Sequence, residues 1–163
     1  MLTLESLNLD KPLYAFLAIG FAGKALPIWE AKYPEDMSPR RAIEAAKEWL
    51  KNPSADAAAN AAYAADAAVN AAYAADAAAN AAYAAHAAAA PAYATAANAA
   101  ASAARALETD VEALIHEVIL ENLDWILQYK IESGQSFAQP ELIFDYLTEE
   151  QKQSFLFNLD AVA

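Results

Sequence analysis

An all-α fold follows from three features of the 163-residue sequence. Residues 55 to 104 form a nearly uninterrupted alanine field with no glycine and one proline, Pro91. Alanine has the highest intrinsic helix propensity because its side chain loses no rotamer entropy. On either side of that field, apolar residues recur at helical spacing. Ahead of those stripes stand helix-start signals, at Asp10, Ser38-Pro39, Thr109 and Thr148. The expectation is one compact helical bundle over residues 1–163. It comprises N-terminal helices in 1–53, alanine-rich helices folded back on themselves in 54–105, and acidic helices in 106–163.

The first helix begins after Asp10, a good N-cap, with Pro12 tolerated in the opening turn. Leu13, Phe16, Leu17, Gly20, Phe21 and Lys24 follow at helical spacing, and Pro27 is expected to kink or split the helix before Ile28 and Trp29. Lys32 to Met37 reads as a loop. Ser38 then serves as N-cap with Pro39 at the first helical position, where no backbone donor is missed. Ala42, Ile43, Ala46, Trp49 and Leu50 make the inward stripe of this second helix, and charged residues occupy its other faces. Arg40 and Arg41 are expected to pair with neighbouring carboxylates such as Glu35 or Asp36. Asn52-Pro53 stops the helix, and Ser54 can cap the next.

Within the alanine field a ten-residue repeat runs through Asn60, Asn70 and Asn80 and through Tyr63, Tyr73, Tyr83 and Tyr93. Asp56, Asp66 and Asp76 form its third series, continued by His86. At roughly 100° per residue, each copy falls about 80° behind the last, so the polar stripe winds around a straight helix. A single rod from Ala55 to Ala90 would be about 54 Å long, against a radius of gyration near 15 Å for a domain of this size. The field is therefore expected to fold back, with breaks near Asp66 to Asn70 and Ala88 to Pro91. Its tyrosines fill space between alanine faces or form a ligand-stacking ladder. An ice-binding rod would need a flat threonine face, and the field contains only Thr95.

Thr109-Asp110-Val111-Glu112 has the form of a capping box and opens a helix expected to reach about Ile131 and end near Ser133-Gly134. Val111, Leu114, Ile115, Val118, Asn122, Trp125, Ile126 and Tyr129 share its inward face, Leu120, Leu123 and Leu127 a second apolar strip, and Asp110, Glu117, Glu121 and Asp124 a narrow acidic one. After a loop from Gln135 to Gln139, Pro140 opens a short helix carrying Leu142, Ile143, Tyr146 and Leu147. A second capping box, Thr148 to Gln151, precedes Phe155, Leu156 and Leu159. Phe155, Leu156 and Phe157 either close the bundle or form an apolar end for another chain.

The net charge of −12 is unevenly spread. Residues 1–51 balance seven acids with seven bases, whereas residues 105–163 hold twelve acids against three bases. Such a chain repels nucleic acid and is steered toward a basic partner. No apolar run approaches a membrane span and the first residues lack a basic leader, so the expected location is cytoplasmic, in keeping with the absence of cysteine. Catalytic signals are sparse. Glu112 and His116 stand four apart rather than three, and His116-Glu117 begins a zinc-protease pattern that fails because position 120 is leucine. The three glycines form no phosphate loop. No enzyme activity, cofactor or metal is expected.

Three runs, Ala25-Leu26-Pro27-Ile28-Trp29-Glu30, Tyr33-Pro34-Glu35-Asp36 and Pro39-Arg40-Arg41-Ala42-Ile43-Glu44-Ala45-Ala46-Lys47-Glu48-Trp49-Leu50, precede the alanine field. Over about residues 14 to 105, this arrangement resembles the Imm-5-like immunity proteins of bacterial polymorphic-toxin systems. The resemblance does not cover the C-terminal 58 residues. It implies an all-α, non-enzymatic protein that neutralises a toxin by binding it. The acidic residues Glu117, Glu121 and Asp124 are the expected contacts to a basic partner such as a nuclease. Two other readings fit the residues: an acidic inhibitor from a phage or mobile element that mimics nucleic acid, and a self-assembling structural protein, a homo-oligomer paired through its alanine helices.

Overall fold

The Asp10 carboxylate accepts the Leu13 N–H at 3.1 Å, and from this cap helix α1 runs over Lys11–Lys32 in the computed structural model. The structure describes residues 1–8, 10–54, 56 and 93–162. The expectations for the ten-residue repeat, including its folding back, its breaks and the setting of its tyrosines, lie outside the described residues. Among the described residues the chain is all-α: α2 (Ser38–Lys51), α3 (Tyr93–Ala106), α4 (Val111–Glu121), α5 (Leu123–Ser133), α6 (Pro140–Phe144) and α7 (Glu149–Val162) follow α1, with a 3₁₀ turn at Glu5–Leu7 and no strand. Contacts gather the chain into two compact units, Asp10–Leu114 and Met1–Leu9 with Ile115–Ala163.

In the first unit, α1 packs against both α2 and α3. Ala15, Ala18, Ala22 and Ala25 of α1 are buried, as are Ala99, Ala100, Ala103 and Ala104 of α3. Small side chains let helix axes approach toward the short end of the usual range of about 8–10 Å. The larger Leu13, Leu17, Phe21 and Trp29 complete the α1 core, and α2 adds Ala42, Ile43, Ala46 and Trp49 along the expected stripe.

Three local expectations are corrected here. Pro27 does not split α1, which continues five residues beyond it. Proline removes the bond to the carbonyl of Gly23, but Gly23 and Pro27 both lie on the exposed side of the helix, where water can take that carbonyl. Burial of Ala25, Leu26 and Trp29 holds the turns on either side. At α2 the N-cap is Met37, not Ser38, whose N–H is accepted by the Asp36 carboxylate at 2.9 Å. Arg40 bonds neither Glu35 nor Asp36; its Nε donates to Glu30 on α1 at 2.6 Å. That pair is half-exposed and contributes at most about 1 kcal/mol. Trp29 Nε1 donates to the Asp36 carbonyl at 3.0 Å and fixes the connecting loop.

By length and composition α1 is long and apolar enough to cross a membrane, which corrects the expectation that no apolar run approaches a span. More than half of that apolar window is buried within the protein.

At the end of α3, Thr109 N–H donates to the Ala104 carbonyl at 3.0 Å and Glu108 N–H to the Arg105 carbonyl at 3.3 Å. This is a Schellman ending, and it puts Glu108 in the left-handed region with φ 53°. A residue with a Cβ pays about 1–2 kcal/mol there, part of which glycine returns through its looser unfolded state. Glu108→Gly is expected to stabilise the chain by about 0.5–1 kcal/mol, seen as a higher urea midpoint. A lower midpoint would refute this reading of the turn. The next helix is capped by Asp110 rather than Thr109: the Asp110 carboxylate accepts the Ala113 N–H at 2.9 Å.

The second unit corrects the expected single helix from Thr109 to Ile131. It breaks at Asn122, whose side-chain amide donates to the Val118 carbonyl at 2.7 Å while its N–H turns to Ile119 at 3.2 Å. An asparagine amide competes with the backbone for helix hydrogen bonds, and here it terminates α4. α5 ends as expected at Gly134, in the left-handed region with φ 66°. Residues 1–8 form a strap within this unit. The Ser6 carbonyl accepts N–H groups from Ala138 and Gln139 at 3.1 and 3.2 Å, and Leu2, Leu4 and Leu7 are buried. Phe155 is buried between Phe137 and Phe144, with ring centroids at 5.2 and 5.8 Å, so it is a core residue and not part of an apolar end. The side chains of Leu156 and Phe157 lie outside the described residues.

Candidate partner-binding face

The break at Asn122 decides how the C-terminal acids are presented. Glu117 and Glu121 stand one turn apart on α4 and Asp124 lies in the first turn of α5; all three are exposed. They share no single helix, although they remain close in sequence around one bend. Asp124 is held in place: its carboxylate accepts the side-chain amide of Gln151 on α7. Gln151 is itself fixed by the predicted capping box, with its Oε1 accepting the Thr148 N–H at 2.7 Å and its N–H donating to Thr148 Oγ1 at 3.2 Å. A single side chain thus caps α7 and ties it to α5.

Because the break shifts the helical phase, α5 buries Leu123, Ile126, Leu127 and Lys130. Trp125, expected to face inward, is instead 38% exposed, and so is Leu120, expected in an apolar strip. The Trp125 ring lies parallel to that of Tyr129, with centroids 5.4 Å apart and planes within 8°. Asp124, Gln128 and Glu132 follow one another at intervals of four beside this pair, and all are exposed. Gln128 Nε2 donates to Glu132 Oε1 at 2.6 Å. The outer face of α5 therefore combines a stacked tryptophan with carboxylates. Of the two bases of this unit, Lys130 is fully buried and Lys152 pairs with Glu149 at 2.6 Å.

Lys130 was not singled out by the sequence pattern. Its Nζ donates to the carbonyl of Asn8 and to Gln135 Oε1 at 3.1 Å, and lies 6.0 Å from the centre of the Phe137 ring. Its position one turn before Gly134 was the available signal, since basic side chains gather at helix C-termini. Asn122 carried the signal for the shifted face, as asparagine is a poor interior helix residue.

Between α5 and α7 an open groove of about 270 Å³ is floored by Leu127 and Ile131 and edged by Asp124 and Glu150. His116, the residue closest to a metal motif, uses Nδ1 to accept the Leu2 N–H at 3.0 Å and sets its ring edge-on to Tyr146 at 5.3 Å. Among the described residues no three metal-binding side chains converge.

Known protein families, curated proteins and solved structures include no match to this chain.

Proposed function

We propose that this chain is a non-enzymatic inhibitor that binds one basic protein, acting in the cytoplasm as an immunity protein that neutralises a toxin such as a nuclease by occluding its substrate-binding surface. The observation that carries this reading is the exposed, stacked Trp125 on a helix face that also exposes the carboxylates of Asp124 and Glu132. Tryptophan and tyrosine anchor protein interfaces because they bury large area at small entropic cost, and they attract cations through the ring face. Glu117, Glu121 and Asp124 extend the negative field around them and would accelerate encounter with a basic surface. The immunity role itself is carried over from the sequence resemblance over about residues 14 to 105.

The test is capture from the source organism's lysate on the immobilised chain at low and at high salt, in parallel with a Glu117→Lys, Glu121→Lys, Asp124→Lys variant. A basic protein retained by the original chain, released by salt and absent from the variant is the expected result. Equal retention by both chains would refute the acidic face as the binding surface. Recovery of the chain's own copies alone, at both salt levels, would replace the inhibitor reading with self-assembly.

A further inference from the structure

We propose that the groove between α5 and α7 seats one arginine side chain of a basic protein partner; this rests on the inhibitor reading above and adds the position and chemistry of its anchor. Size is the first argument. The groove, at about 270 Å³ and open to solvent, has room for one long side chain. Charge is the second: carboxylates stand on both walls, Asp124 from α5 and Glu150 from α7, and no basic residue lines the groove.

The distribution of acceptors and apolar surface selects arginine over lysine. Leu127 and Ile131 offer a floor for the methylene stem and for the weakly hydrated face of a guanidinium. Two carboxylate acceptors contributed by different helices match a planar fork with five N–H donors better than a compact ammonium. Asp124 is also positioned in advance. Gln151, locked by Thr148, donates to one carboxylate oxygen, a bond that uses one of the roughly four lone-pair sites of that group. An acceptor already oriented by the fold loses little freedom when the partner arrives.

The experiment titrates the full-length chain with the blocked peptide acetyl-Gly-Arg-Gly-amide and with analogues carrying lysine or the neutral isostere citrulline. The methyl groups of Leu127 and Ile131 and the amides of Glu117 and Glu121 are followed by NMR. The arginine peptide is expected to shift both groove methyls saturably, more tightly than the lysine peptide, while citrulline leaves them unmoved. Glu150→Gln and, separately, Asp124→Asn are each expected to weaken the arginine peptide by about fivefold, the scale of one partly exposed charge pair. Glu150→Gln keeps the test independent of the Asp124–Gln151 bond. Equal shifts with citrulline, or unaltered affinity in Glu150→Gln, would overturn the proposal. Shifts at Glu117 and Glu121 with silent groove methyls would overturn the arginine seat and leave the basic-partner reading standing. Silence at all four positions would count against both.

Discussion

Replacing Lys130 by alanine is expected to destabilise the chain by about 3 kcal/mol, through loss of buried hydrogen bonds and the cavity left by its stem. Lys130 is 0% exposed, and its Nζ links α5 to the strap through the Asn8 carbonyl and to the loop after α5 through Gln135. Asn8 turns that carbonyl inward by adopting a left-handed conformation with φ 49°. A lysine-to-methionine change separates the two contributions. Methionine fills most of the stem volume but donates nothing, so Lys130→Met is expected to lose about 1.5–2 kcal/mol. Urea unfolding measures both variants, and an unchanged slope would place the effect in stability rather than in the unfolded state. Hydrogen exchange adds a local reading: the amides of Ala138 and Gln139, both bonded to the Ser6 carbonyl, should exchange faster once the strap loses its anchor. A Lys130→Met chain as stable as the original would mean that the bonds merely repay the cost of burying the amine.

Trp125→Ala is expected to weaken binding of the captured basic partner by at least about 30-fold, the effect of removing an interface hot spot worth 2 kcal/mol or more. Its cost to folding should be smaller, about 1 kcal/mol, because the ring is 38% exposed and its stack on Tyr129 is of the kind worth about 0.5–1.5 kcal/mol. The kinetic signature distinguishes the aromatic anchor from the acids around it. Trp125→Ala should raise the dissociation rate, whereas charge reversal at Glu117, Glu121 and Asp124 should mainly slow association and flatten its salt dependence. Surface plasmon resonance at two ionic strengths reads both. A Trp125→Ala chain with unaltered dissociation would remove the tryptophan from the interface.

Much of the helical architecture was legible in the order of residues. Asp10 caps α1, Pro140 opens α6, Thr148 and Gln151 close a reciprocal box ahead of α7, and Gly134 ends α5. The stripe of α2 faces inward as its spacing requires. Caps and stripes depend on groups within about four residues of one another, and local chemistry of that range is written directly in the chain. Glu117, Glu121 and Asp124 were likewise legible as exposed acids.

The features that shape the candidate site have another origin. Pro27 stays inside α1 because packed residues surround a proline that happens to face water. Lys130 is buried because the Asn8 carbonyl, 122 residues earlier in the chain, stands over it, and His116 is engaged by a backbone donor 114 residues away. The break at Asn122 was signalled by its residue type, but the burial of Leu123, Ile126 and Leu127 selects which side of α5 turns outward and so exposes Trp125. Helical periodicity places residues around an axis without stating which side another element will cover. That choice belongs to long-range packing, where the free energy of burying apolar area outweighs the few tenths of a kcal/mol that local propensity contributes per residue.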